Sequence, residues 1–426
     1  MLVYVLKKLA YGLLVLFGVI TVVFGIFNLG GDPVEQLVSE NTTQEVKDAI
    51  RKKFNLDLPF IQRYALYLND VSPISIHNPT SAGSHVYWDE EQYSGCQILS
   101  FSEHRSLMIK VPYLSRSYLT ERPVSQVLGE ALPGTVVLAT TAITIAIVLG
   151  ILLGIVSALR KDTWVDQLAL ALSTLGMSGP SFFMAILIAW LGGLYWYETT
   201  SLPILPFAVF LLFLTTGILR KFALKKEGVQ IGKMSLVGLL SGIGLWGIGI
   251  LVFGSESALF GVSLNLPGTG LSMSGSLFGV DVWKGRILQI ENLILPAITL
   301  GIRPLAVIVQ LTRGSLLEVM GQDYIRTARA KGMSEWSVIF RHALKNALNP
   351  VITAVSGWFA SLLAGAVFVE FVFGWKGLGL ETYSALERDD LPVVMGAVIL
   401  IASTFVVVNL ITDVLYGVVD PRVRVS

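Results

Sequence analysis

The stretch Asp323–Thr353, DYIRTARAKGMSEWSVIFRHALKNALNPVIT, carries Arg326, Arg329, Lys331, Arg341 and Lys345, yet it joins two runs, Leu293–Leu311 and Val351–Phe373, that are apolar enough for lipid. A polar loop of this length, held on one side of a membrane, is a surface through which another protein can push on embedded helices. Tyr324–Gly332 reads as a helix closed by Gly332, which permits a sharp stop. Ser334 caps a second helix, Glu335–Lys345. Thr327, Ala328 and Ala330 are small, so a partner surface can approach the backbone closely there. The same loop could instead serve topology alone, and the residues by themselves leave both readings open.

Working outward, the chain has 426 residues, 53% hydrophobic and 14% charged, where a soluble domain carries about a quarter charged residues. The apolar residues fall in long unbroken runs, which defines an integral membrane protein. The net charge of +1 is uninformative by itself; the placement of the charges matters. One cysteine, Cys96, excludes an internal disulfide and any cysteine-cluster metal site. Lys7 and Lys8 precede an apolar run, Leu9–Leu29, that is longer than a signal-peptide core and lacks a small-residue cleavage pattern, so a retained first helix is expected.

Helical spans are expected at Leu9–Leu29, Thr135–Leu159, Leu168–Tyr195, Leu202–Leu219, Leu236–Phe253, Leu293–Leu311, Val351–Phe373 and Val393–Val418, about eight in all. The basic residues of the short connections all fall on one side if these spans alternate. They are Lys7 and Lys8; Arg160 and Lys161; Arg220, Lys221, Lys225, Lys226 and Lys233; Arg313 with the cations of Asp323–Thr353; and Arg422 with Arg424. The positive-inside rule makes that side, and both termini, cytoplasmic. Residues 34–133 then face outward. Two helices are expected at their start: Gln44–Lys53, capped by Thr43, and Phe60–Leu68, opened by Pro59. Ser72–Tyr118 reads as irregular and polar.

Chemical motifs are mostly empty. Gly242-Ile-Gly244-Leu-Trp-Gly247 spells a dinucleotide fingerprint but lies inside an apolar span, with no preceding strand and no acidic residue at the required offset. Gly228-Val-Gln-Ile-Gly232-Lys233 is one residue short of a phosphate loop, and Met234 stands where Ser or Thr is needed. The chain therefore has no nucleotide site of its own, and if ATP drives it another subunit must bind the ATP. His77, His85 and His104 lack the spacing of a helix-borne metal site. No catalytic residues, metal site or cofactor are expected. Gly150-Ile-Leu-Leu-Gly154 suits close helix packing. Among ionisable residues inside spans, each costly there, Arg303 beside Pro304 reads equally as a path-lining or inter-subunit residue and as one paired structurally, while Glu370 and Asp413 lie near span ends and are otherwise read as solvated.

The loop resembles the EAA signature of ABC-importer permeases, in which a short coupling helix sits in a cleft of the ATPase subunit. Arg326-Thr327-Ala328 stands at the Glu-Ala-Ala positions and Gly332 is the signature glycine. Arg326, Thr327 and Lys345 depart from the general form as the dipeptide/oligopeptide (peptide/nickel) branch does, and the chain resembles the first-permease, B-type members of that branch. Gly31-Asp32-Pro33, Arg122-Pro123-Val124 with Leu132-Pro133, Leu295-Pro296-Ala297-Ile298-Thr299-Leu300-Gly301, Phe373-Gly374-Trp375-Lys376-Gly377-Leu378-Gly379 and Asp420-Pro421-Arg422-Val423-Arg424 carry the same likeness. Lys376 replaces a common proline.

The resemblance implies an all-α, polytopic type I ABC importer permease fold with about six core spans and an inserted helix pair. On that reading residues 1–33 hold the first helix, 34–126 an extracytoplasmic segment, 127–420 the permease domain with an insertion at 199–290, and 421–426 a cytoplasmic tail. It also implies the partners: a second homologous permease, two cytoplasmic ATP-binding subunits, an extracytoplasmic solute-binding protein, a peptide substrate and membrane lipid, with no nucleic acid. Arg326, Thr327, Ala328, Ala330, Gly332 and Ser334 would couple to the ATPase, and Arg303 and Glu370 would be candidates for the path. Nickel or another peptide-like solute is the alternative cargo. A secondary transporter or channel is the alternative class, but it would need intramembrane ion sites, which are scarce here.

Overall fold

The computed structural model describes residues 2–29, 42–81, 84–90, 92–102, 104–196, 230–253 and 291–419, with short pieces at 34, 209–210, 212–214, 216–217, 258–259, 262–263, 278–281 and 285–288. The chain divides into two compact units, Met1–Leu132 with Glu381–Val406 and Pro133–Leu380 with Val407–Ser426.

In the first unit the helix Leu2–Leu29 carries Lys7 and Lys8 in its second turn and is otherwise largely apolar. Phe24 anchors it against Phe60, Tyr64 and Tyr67, with ring centroids 5.2 to 5.5 Å apart. The helices Gln44–Lys53 and Phe60–Val71 follow. Thr43 occupies the cap position of the first, but its side chain makes no capping bond there. Pro59 sits at the N-cap of the second, one residue before the first helical position.

Ser72–Tyr118 is not irregular. It holds a three-stranded antiparallel sheet in the order β1-β3-β2, with β1 Ile74–His77, β2 Gly95–Ser102 and β3 Arg105–Lys110. The alternation along β1 and β3 is inverted relative to an ordinary soluble sheet. Ser75, His77, Ser106 and Lys110 are buried, whereas Ile74, Ile76 and Ile109 are exposed. β2 is exposed at every position, with Ile98, Leu99 and Phe101 open. On the buried face the His77 ring packs 4.6 Å from Tyr93 and 5.2 Å from Trp88. Nearby, the Tyr93 hydroxyl donates to the Asp70 carboxylate at 2.8 Å. Burial pushes the Asp70 carboxyl above its ordinary value and His77 below its own.

Four helices are long and apolar enough to cross a bilayer: Leu6–Phe27, Val124–Leu159, Asn292–Met320 and Leu391–Thr412. The pair Trp164–Ser178 and Ser181–Gly192, bent by 111°, makes up to 5 if it is one span. The described residues thus give four or five spans, not the eight expected. Leu168–Tyr195 is not one straight helix because Pro180 has no N–H to donate and drives the preceding residue out of the helical region; Gly179 is extended, at φ −69 and ψ 132. Val351–Phe373 breaks at Ala366 into Asn349–Gly365 and Val367–Val372. Leu236–Phe253 lies in the helix Ile231–Phe253, whose side chains are described only in part. Leu202–Leu219 lies almost wholly outside the described residues. The expected all-α class is corrected to a mostly helical one by a second sheet as well, of β4 Ala258–Leu259, β5 Val262–Ser263, β6 Phe278–Asp281 and β7 Gly285–Leu288 in the order β4-β5-β7-β6.

The second unit packs around Leu138, Ala142, Ala185, Leu295, Ala297, Leu300, Leu363, Val369, Phe373 and Trp375. Its two longest helices meet through glycine. A methyl on Gly150 would lie 2.7 Å from Ile308, and one on Gly154 would lie 2.6 Å from Thr312. Between lining a path and packing, these two glycines therefore pack.

Candidate functional site

The polar loop folds as a knob. Helix Asp323–Ala330 starts after an extended Gln322 and ends in a complete Schellman motif. Gly332 has φ +74, its N–H donates to the Arg329 carbonyl at 2.9 Å, and the Met333 N–H donates to the Ala328 carbonyl at 3.4 Å. Met333 and Ala328 belong to one apolar cluster, which supplies the hydrophobic contact of that motif. Ser334 accepts the Ser337 N–H at 3.4 Å and so caps the next helix, which begins at Glu335 and passes through a π-helical turn, Val338–Ala343, before Leu344–Ala347.

The helix presents two faces. Ile325 and Ala328 are buried with Ile155, Ala158, Leu316, Val338, Ala343 and Ala347. Tyr324, Arg326, Thr327, Arg329, Ala330 and Lys331 are exposed. Ala328, expected on the contact face, is only 6% exposed and packs inward. The spacing of Ile325 and Ala328, three residues apart, puts them on the same helix face; the small side chain there lets the helix sit close to the transmembrane helices. Two ties hold the knob's shape. Arg329 pairs with Glu335 at 2.9 Å, and Asn346 donates to the Tyr324 hydroxyl at 2.8 Å.

A further tie lies nearby and went unnoticed in the sequence. Arg313 donates to both carboxylate oxygens of Asp166, at 2.6 and 2.7 Å. The carboxylate also accepts from Ser157 Oγ at 2.5 Å and from the Asp162 backbone at 2.9 Å. The end of helix Val124–Leu159, the start of helix Trp164–Ser178 and helix Glu291–Met320 are thereby fastened together. An Asp two residues into a helix looks like ordinary first-turn charge, and only the fold reveals its distant partner.

Glu370 is not solvated. It is 0% exposed, and its carboxylate accepts from Thr135 Oγ1 at 2.6 Å, from the Gly379 N–H at 2.7 Å and from the Leu380 N–H at 3.1 Å. Thr135 Oγ1 accepts in turn from the Leu378 N–H at 2.7 Å. These N–H groups open helix Leu378–Glu387, so a carboxylate from another element satisfies its first turn. Trp375 is buried, and its indole donates to the Gly134 carbonyl at 2.9 Å. A methyl at Gly377 would fall 2.5 Å from both Glu370 oxygens. The segment Phe373–Gly379 is thus wound around one carboxylate, which accounts for its glycines.

Arg303 sits elsewhere. It lines a cavity of about 130 Å³ with Ser181, Met184, Thr299, Trp358 and Ser361, beneath the Gly179-Pro180 bend. Asp413 falls in helix Leu391–Val419, and its side chain lies outside the described residues. The structure therefore gathers the expected coupling residues into one knob but does not bring Arg303 and Glu370 together at the cavity, whose lining includes only the former.

A helical membrane chain with a glycine-terminated polar knob has clear relatives. Residues 150–425 match the family described as binding-protein-dependent transport system inner membrane component. The chain belongs to that family, and is thereby a multi-pass inner membrane component and not an enzyme. It is 51% identical over 151 residues to the dipeptide transport system permease protein DppB of Escherichia coli, a match covering 35% of this chain and 44% of that protein. It is 41% identical over 215 residues to the di/tripeptide transport system permease protein DppB of Pseudomonas aeruginosa, covering 48% of this chain and 63% of that one. These alignments span less than two thirds of those relatives. The dipeptide transport system permease protein DppB of Alkalihalophilus pseudofirmus is 28% identical over 425 residues, which is 100% of both chains.

Proposed function

We propose that this chain is one of two non-identical permease subunits of an ATP-driven importer of di- or oligopeptides, built on the type I importer plan. Two cytoplasmic ATP-binding subunits drive it and an extracytoplasmic solute-binding protein delivers the peptide. Both termini are cytoplasmic in this reading. Residues 1–33 form the first helix, 34–126 face outward, 127–420 form the permease domain and 421–426 a cytoplasmic tail. The span pair Leu202–Leu219 and Leu236–Phe253 belongs to an insertion at 199–290. Arg303 lies on the path, and Glu370 positions the loop that bounds it.

The observation that carries this reading is the two-faced helix Asp323–Ala330. Its basic face is free for a partner while Ile325 and Ala328 seat it among the transmembrane helices. A push on Arg326, Thr327, Ala330, Gly332 or Ser334 is therefore delivered to those helices and not absorbed by a slack loop. Ala328 serves from behind, as the bearing surface.

Replacement of exposed Thr327 by Trp tests the reading, because it enlarges the contact face without touching the core. Membrane insertion should persist, while ATP-dependent peptide uptake by the assembled importer collapses. Uptake at the wild-type level would remove the coupling role from this face. Purification of the chain without nucleotide-binding subunits, together with nucleotide-independent uptake, would remove the importer reading altogether.

A further inference from the structure

Arg303 presents an unresolved charge. It stands 12 residues into helix Glu291–Met320, so roughly 18 Å from its start, near the middle of a segment fit to cross a membrane. A cation there is costly unless something pairs with it. Among the described residues Arg303 has no ion pair and no hydrogen bond, and its side chain is exposed to the cavity it lines.

The cavity adds an independent observation. Three hydroxyls, Ser181, Thr299 and Ser361, share its wall with the guanidinium, and Trp358, Met184, Leu300, Leu362 and Val369 supply the apolar remainder. The Thr299 hydroxyl donates to the Leu295 carbonyl at 2.8 Å, so its proton is spent and Ser181 and Ser361 are the hydroxyls that can donate to an anion. A volume of about 130 Å³ resembles cavities that hold a benzene ring, so it takes a small end group and not a whole dipeptide. A planar guanidinium with hydroxyl neighbours matches a carboxylate, which it binds in a fork of two parallel bonds.

We propose that Arg303, with Ser181 and Ser361, forms a subsite for a carboxylate, and that in transport it takes the C-terminal carboxylate of the peptide. The second clause deepens the peptide reading above and rests on it. The bend at Gly179-Pro180 then has a purpose. A straight helix would run past helix Glu291–Met320, whereas the turn places Ser181 in the wall of the same cavity.

The test uses the complete importer in lipid nanodiscs and a photoreactive dipeptide, benzoylphenylalanine at its second position, as free acid and as C-terminal amide. Labelled segments are read by mass spectrometry, and uptake of the free acid is followed in vesicles carrying the same variants. The acid should label segments 176–184, 299–303 or 358–369, and the amide about tenfold less, the loss expected for one charge-assisted interaction. Arg303→Gln should bring acid labelling down to the amide level, and Arg303→Lys, which keeps the charge but loses the fork, should fall between the two. Equal labelling by acid and amide, or undiminished labelling of Arg303→Gln, overturns the subsite and points to a structural partner for the guanidinium. Uptake of the acid with no label in these segments overturns the subsite and leaves the peptide reading standing. No uptake by the wild type under ATP overturns the peptide reading, and the subsite's role in transport with it.

Discussion

Arg313 holds Asp166 with both arms of its guanidinium, across 147 residues of chain. Asp166 is 1% exposed, while the Arg313 side chain keeps 19% of its surface open, so the carboxylate is shielded and the guanidinium reaches it from the edge of the packed region. Such a pair contributes little over a good apolar contact, but removing one member leaves a buried charge without compensation. Asp166→Asn should therefore destabilise the second unit by about 3 kcal/mol, seen as a lowered thermal midpoint of the purified assembly. The double replacement Asp166→Asn with Arg313→Met should recover much of the loss. An unchanged midpoint in the single variant would show that the two bonds fasten nothing.

Glu370 and Gly377 make a steric prediction. A methyl at Gly377 collides with both carboxylate oxygens, so Gly377→Ala should cost about 1–3 kcal/mol. In a Glu370→Ala background the obstacle is gone, and the same change should cost much less. The two effects must be strongly non-additive. Additive losses in a double-mutant cycle would place the loop elsewhere than around Glu370.

At Gly332 the argument is conformational. Nothing stands within 4 Å of an added methyl, yet φ +74 disfavours any L side chain, by about 1 kcal/mol. Gly332→Ala should leave insertion intact and weaken the helix stop, so that ATP hydrolysis proceeds with reduced peptide uptake. Gly332→Asn, which tolerates this conformation better, should be milder. Equal uptake in wild type and Gly332→Ala would separate the turn from coupling.

The buried His77 gives a pH dependence. Burial, seconded by Lys110, holds its ring below the ordinary value of 6.5, so the unfolded chain binds the proton more readily than the folded one. Stability contributed by the neutral ring is present above 6.5 and is lost as the pH falls from there towards the lowered folded value. Asp70, pushed upward by burial, acts in the opposite sense in its own window above 3.8. Protection factors of the amides of Ile74–Lys110 in the full chain, corrected for the intrinsic pH dependence of exchange, should fall as the pH drops from 7 to 5.5 (roughly the window in which an unperturbed His charges). His77→Leu should flatten that response. An identical slope in the variant would assign it to another group.

Much of the knob's shape is legible in the sequence because its signals are local: a glycine that ends one helix and a serine that begins the next. Ala328 was misplaced because small size was taken for openness, whereas in a helix of this length the register set by Ile325 decides which face turns inward. The bend at Gly179-Pro180 could have been read, since proline within an apolar run is a break signal, but the hydropathy of the run concealed it. The β-sheet escapes the usual alternation, because Ile74, Ile76 and Ile109 lie on the exposed side, Ser75, His77, Ser106 and Lys110 share the buried one with Met108, and β2 is exposed at every position. Glu370 and Asp166 were opaque for another reason: their partners, Thr135 and Arg313, lie 235 and 147 residues away, and no periodicity reports a contact that tertiary structure alone creates.

The inverted sheet carries a practical lesson. With Ile98, Leu99 and Phe101 bare on an edge strand, and Ile74, Ile76 and Ile109 beside them, the segment is greasy where a freestanding domain must be wettable. Cut from the rest of the polypeptide, it would offer its backbone as a template for stacking copies of itself and would precipitate. It should be handled only within the intact chain.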